Sequence, residues 1–156
     1  MRLWRITGAR YAALDGEGAR RYGSRWTPKG LPAVFASTTL ALAVLECFVH
    51  VDPDLEPDDL VTIAIDVPED FLAVSLVESH LSANWRMYPP PPELTLFGER
   101  WWREAKAAVM LVPSAVVPTE RNAIINPTHA DFPKLVVGKP ETFSFDPRMW
   151  KKAPAS

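Results

Sequence analysis

The densest apolar stretch of the chain begins at Thr38. Leu40, Ala41, Leu42, Ala43, Val44, Leu45, Cys47, Phe48 and Val49 follow without glycine or proline, and Glu46 is the one charge among them. The run is too long for an ordinary strand, and Thr38 and Thr39 can cap its start, so the pattern predicts a helix. Apolar positions nearly all round it predict burial on most sides. An ionised carboxylate in such a place costs several kcal/mol unless it is paired. Arg25, in the Gly/Pro-rich loop upstream, is the nearest candidate partner. Two readings stay open at this point: a structural pair fastening the loop to the helix, or a functional site.

Elsewhere the pattern alternates. Leu3 to Thr7 reads as a short strand, with Leu3, Arg5 and Thr7 on one face and Trp4 and Ile6 on the other. Ala12 to Gly23 is rich in glycine and charge and reads as loop, with a turn at Asp15-Gly16. Ala33 to Ala36 is a strand that feeds the helix through Ser37. Val61 to Val67 alternates β-branched residues as a strand, and Phe71 to Val77 is a further candidate. Pro89 to Pro92 is expected to be extended and exposed. Leu94, Phe97, Trp101 and Ala105 recur at helical spacing, which predicts a helix over Glu93 to Ala108 with Trp101 in the core and Trp102 at its rim. The last third offers strands at Val109 to Val112, Ala123 to Ile125, Lys134 to Val137 and Thr142 to Phe145. Strands in a block with helices set apart from them indicate an α+β fold. The expectation is a single domain over residues 1–150, followed by a frayed tail, 151–156.

Composition sharpens this picture only in places. Sixteen prolines in 156 residues is about twice the usual share of roughly 5%, so loops and abrupt element ends should be frequent. A net charge of −2 gives no basic field for nucleic acid, and no direct nucleic-acid binding is expected. The single cysteine, Cys47, cannot form an intramolecular disulfide and fits a reducing compartment, where it serves as a small buried apolar side chain. The amino-terminal residues lack the apolar run of a signal peptide, and no stretch is long enough for a membrane span, so a cytoplasmic protein is expected. The acidic segment Asp52 to Asp59 does not have calcium-loop spacing, and no metal is expected. Motifs for dinucleotide, phosphate-loop and zinc chemistry are absent. Arg20, Arg21 and Arg25 flank Trp26 and the Pro28–Gly30 turn, a composition suited to holding an anion.

The segments WRI (4–6), LDGEGARRYGSRWTPKG (14–30), AVFASTTLALAVLE (33–46) and LVPSAVVPTERNAIINPTH (111–129) together resemble the RES domain, a family of bacterial toxins of toxin–antitoxin pairs. The resemblance spans most of the chain in the right order. It implies a single-domain, ADP-ribosyltransferase-like α+β fold with mixed or antiparallel sheets and flanking helices. The arginine, glutamate and serine that name the family fall on Arg25, Glu46 and Ser114. Where the family commonly has a tyrosine ten residues after the arginine, this chain has Phe35, which keeps a ring to stack on nicotinamide and loses the phenol. The reaction implied is cleavage of the nicotinamide–ribose bond of NAD+, as a glycohydrolase or phosphorylase, with NAD+ consumed as substrate and no cofactor. Glu46 would stabilise the oxocarbenium-like ribose, and Arg25 would grip the pyrophosphate. Ser114 would bond the nicotinamide ribose or a phosphate, and Asn122 would orient. The alternatives are an ADP-ribosyltransferase acting on a protein, or a non-catalytic binding module. The partner implied is a helix-turn-helix (Xre-like) antitoxin, with no membrane association; a homodimer is left open.

Overall fold

The structure is a computed structural model that describes residues 1–150; the expected tail, 151–156, lies outside the described residues. In chain order its elements are β1 (Arg2–Gly8), α1 (Glu17–Tyr22), β2 (Val34–Ser37), α2 (Leu40–Phe48), β3 (Leu60–Asp66), β4 (Ala73–Ser75), α3 (Thr95–Glu104), β5 (Val109–Pro113), β6 (Arg121–Ile125), β7 (Val136–Val137) and β8 (Glu141–Thr142). The strands form one mixed sheet in the order β4-β5-β6-β2-β1-β3-β7, with β8 also on β3. Only the β4–β5 pairing is parallel among those described. The α+β architecture with a mixed sheet and flanking helices is therefore the one expected.

Both faces of the sheet are covered, and the alternation of the strands sorts residues between two cores. Val34 and Ala36 of β2, Val109 of β5, and Ala123 and Ile125 of β6 join Leu3, Ile63 and Ile65 in the first. Met110, Val112 and Ile124 point the other way, into a core with Trp26, Trp85, Leu94 and Trp101, against which Phe35 packs. The candidate ring at Phe35 therefore lies on the tryptophan-rich side.

Five expectations need correction. Residues 17–22 are helical and not loop: Glu17 pairs with Arg20 at 2.7 Å and with Arg21 at 3.7 Å, and Asp15 Oδ1 accepts from the Glu17 amide at 3.0 Å, so i,i+3 and i,i+4 pairs and an acidic start outweigh the nearby glycines. Helix α2 is capped by Thr39, whose Oγ1 accepts from the Leu42 amide at 3.1 Å. It buries only one side, with Leu42 and Ala43 buried and Ala41, Leu45 and Val49 exposed, because it lies mainly against β1 and β2. The tetraproline is only partly exposed: Pro91 is buried and Pro92 opens a 3-10 turn into α3. That helix stops at Glu104, since Ala105 turns left-handed at φ 47°, and Ala105 is exposed rather than inward. The late strands are also shorter than expected, Phe132–Lys134 being a 3-10 turn and the last pairing ending at Thr142. Trp101 is buried and Trp102 half-buried, as core and rim.

Candidate active site

Glu46 sits in the last turns of α2, and its carboxylate partners come from the far end of the chain. Ser114 Oγ donates to Glu46 Oε1 at 2.7 Å and Asn122 Nδ2 donates to the same oxygen at 2.5 Å. Asn122 belongs to β6, with Ser37 of β2 on one flank and Val112 of β5 on the other. Its amide oxygen accepts from Ser37 Oγ at 2.7 Å, which fixes which end of the amide faces Glu46. Ser114 follows β5 directly and is fully buried. Its Oγ accepts from the amides of Val116 and Val117 at 3.1 and 2.9 Å, so its single proton is left for the carboxylate. Two fixed donors thus converge on Oε1. Oε2 has no hydrogen-bond partner among the described residues, and is the oxygen able to take a substrate hydroxyl.

Arg25 does not close an ion pair with Glu46; among the described residues no salt bridge joins them. Its Nη1 instead donates to the carbonyls of Trp85 and Met87, at 2.6 and 3.0 Å. Partial burial pushes the guanidinium below its ordinary value, and the attraction of the Glu46 carboxylate offsets only part of this. The expected direct pair is replaced by a positioned cation facing a positioned anion. Nε and Nη2 of Arg25 have no partner among the described residues.

The loop that carries Arg25 is rigid for local reasons. Ser24 Oγ meets Thr27 Oγ1 at 2.9 Å and accepts from the amides of Trp26 and Thr27, while the Ser24 amide donates to the Thr27 carbonyl at 2.8 Å. Trp26 is buried beside Trp85, ring centroids 6.1 Å apart. Helix α3 presses on this loop through Gly98, where an added Cβ would lie 1.9 Å from the Trp26 carbonyl oxygen. No residue larger than glycine fits there without moving the backbone next to Arg25.

Of the residues expected from the sequence, Glu46, Ser114 and Asn122 are brought into one hydrogen-bonded cluster, Arg25 faces it, and Phe35 is half-buried on the tryptophan side of β2. Arg5 was not anticipated. Its Nη1 donates to the Phe35 carbonyl at 3.0 Å, while its buried Nε has no partner among the described residues. Burial pushes its guanidinium down, against the pull of Asp15. The one signal in the sequence was a cation placed in the first strand, ambiguous because strands often carry charge on a solvent face. Cys47, adjacent to Glu46, is a free thiol pushed up by burial.

Residues 2–146 match the RES domain family model, and the chain belongs to that family. It is 37% identical over 155 residues to Toxin Res of Photorhabdus laumondii, covering 97% of this chain and 98% of that one. It is 38% identical over 157 residues to the Prs ADP-ribosylating toxin of Sphingobium sp., with 97% and 98% coverage. MbcT of Mycobacterium tuberculosis, as solved in the MbcT–MbcA toxin–antitoxin complex, superposes with a TM-score of 0.73 at 20% identity, over 96% of this chain and 86% of that one. That protein is named an NAD(+) phosphorylase, and in sequence it matches 49 residues at 47% identity, 31% of this chain and 25% of its own.

Proposed function

We propose that this domain is the toxin of a toxin–antitoxin pair and degrades NAD+ by breaking the bond between nicotinamide and ribose. The observation that carries this is the state of Glu46: one oxygen fixed by two donors, the other without a partner among the described residues. As the N-glycosidic bond breaks, its electron pair leaves with neutral nicotinamide and positive charge develops on the ribose. A carboxylate already oriented at that point stabilises the charge without reorganising. Oε2 of Glu46 accepts a hydrogen bond from a ribose hydroxyl or from the incoming acceptor. Water as acceptor gives ADP-ribose and a proton; phosphate gives the 1″-phosphate of ADP-ribose. Ser114 and Asn122 act by holding Glu46, Arg25 presents Nε and Nη2 to the pyrophosphate, and Phe35 offers a ring to nicotinamide.

The names of the relatives support the same reading: an NAD(+) phosphorylase among structural neighbours, and toxins among near full-length relatives. The Sphingobium relative, named as ADP-ribosylating, favours as second reading the transfer of ADP-ribose to a protein by the same site. The partner proposed is an antitoxin of helix-turn-helix type encoded beside this chain, acting in the cytoplasm where NAD+ is the substrate pool. No helix among the described residues is long and apolar enough to cross a membrane. The deciding experiment incubates purified protein with NAD+, with and without phosphate, and separates the products. Nicotinamide release is expected, faster with phosphate if phosphate is the acceptor. Intact NAD+ under all conditions, including with cell lysate as a source of protein acceptors, would refute the reading.

A further inference from the structure

A second guanidinium stands at the lip of this site. Arg86 lies between Trp85 and Met87, the two residues whose carbonyls hold Arg25 Nη1. Its own Nε donates to the carbonyl of Ala115 at 3.1 Å, and Ala115 directly follows Ser114, the donor to Glu46. Arg86 therefore spans the gap from the Arg25 loop to the turn that supports the carboxylate. The segment beneath it is fastened: Trp85 is buried against Trp26, its Nε1 donates to Glu78 Oε1 at 3.2 Å, and Arg121 Nη1 donates to the Leu76 carbonyl at 2.7 Å. Arg86 itself is exposed, and neither of its Nη groups has a partner among the described residues.

Two guanidinia are thus tied to the same segment: Arg25 bonds the carbonyls on either side of Arg86, and Arg86 bonds the carbonyl after Ser114; each uses a single nitrogen, and the other nitrogens have no partner among the described residues. Carbonyl acceptors orient a guanidinium without neutralising it. An anion that reaches both can take two charged forks at once, and two linked phosphates, with more oxygens over a longer span, suit two forks better than one carboxylate does. We infer that Arg86 is a further substrate-binding residue, which with Arg25 clamps the diphosphate of the dinucleotide. The inference rests on the NAD+ reading above, and names the group that recognises the half of the substrate away from the reacting bond. A phosphate acceptor shares this chemistry and is separated from it by the test.

The test compares wild type, Arg86→Gln and Arg86→Lys, using calorimetric titration with ADP-ribose, which carries the diphosphate, and with nicotinamide riboside, which lacks it, alongside steady-state NAD+ cleavage. A hydrogen bond to a charged group is worth about 1.5–3 kcal/mol, or roughly 10- to 100-fold. Arg86→Gln should raise the Kd for ADP-ribose and the KM for NAD+ by that factor, with most of the loss in KM rather than kcat. Arg86→Lys should recover part of it, and affinity for nicotinamide riboside should not move. Unchanged ADP-ribose affinity overturns the inference, as does a fall in kcat at constant KM, which would make Arg86 only a support for the Ser114 turn. A change confined to the KM for phosphate overturns it in favour of the acceptor. Wild type that cleaves NAD+ while Arg86→Gln matches it refutes this inference alone; wild type that binds ADP-ribose through Arg86 without cleaving NAD+ refutes the catalytic reading alone.

Discussion

Replacing Glu46 by Gln is the sharpest perturbation of the site, because the structure says what each atom of the new side chain would meet. Gln keeps an oxygen where Oε1 accepts from Ser114 and Asn122, so neither donor is orphaned. Its amide nitrogen replaces Oε2, which has no protein partner to lose among the described residues. Two charge-assisted hydrogen bonds become neutral ones, a loss of about 1 kcal/mol each. Against this stands the relief of no longer holding a charge in a partly buried position. Net stability should therefore change by no more than about 1 kcal/mol, or roughly 2–4 °C in Tm for a domain of this size. Catalysis should respond very differently. The charge facing the oxocarbenium is removed, and the loss expected from one preorganised electrostatic group is about 10²- to 10³-fold in kcat, near 3–4 kcal/mol. Nicotinamide release followed by chromatography, with differential scanning fluorimetry on the same samples, reads both quantities. Equal turnover by the variant would remove Glu46 from the mechanism. A drop in Tm well beyond 4 °C, in a protein inactive in either form, would make the Ser114–Glu46–Asn122 cluster a structural one.

Three other outcomes follow from the same geometry. Arg25→Lys keeps the charge, but one ammonium cannot bond the Trp85 and Met87 carbonyls and also grip a phosphate as a fork; NAD+ affinity should fall about tenfold by titration calorimetry, and unchanged affinity would place Arg25 outside the binding site. Gly98→Ala puts a Cβ 1.9 Å from the Trp26 carbonyl oxygen, so overpacking should cost about 1–3 kcal/mol by denaturant unfolding and raise the KM for NAD+ by displacing the Arg25 loop; a variant as stable and active as wild type would show that α3 does not fix that loop. Burial raises the Cys47 pKa, so less thiolate is present at any pH below it, and alkylation at pH 8 should be slower than that of free cysteine until denaturant is added; equal rates would contradict the burial of the thiol.

Much of the fold was legible along the chain, because the periodicities that specify β1, β2, β3, β5, β6 and α2 are local. Thr39 is a cap in the structure as in the sequence, and the alternation of β2 and β6 settles which of their residues enter which core. The misreadings came from weak local signals overruled by pairs or by packing. Helix α1 depends on Glu17 reaching Arg20 and Arg21, and α2 has an exposed side because a sheet covers a helix from one direction only.

The sequence by itself determined the residue types of the site. A lone carboxylate in an apolar run, an arginine in a Gly/Pro loop, and a serine and asparagine bracketing a late turn are all visible without coordinates. Their partnerships were not. Glu46 is bonded by residues 68 and 76 positions away, and Arg25 by carbonyls 60 and 62 positions away. A guanidinium takes whichever acceptors the fold brings within about 3 Å, and a backbone carbonyl leaves no mark in the sequence. Only the sheet order decided that β5 and β6 would deliver Ser114 and Asn122 to α2, while the Trp85 segment would occupy the arginine and leave its charge facing Glu46.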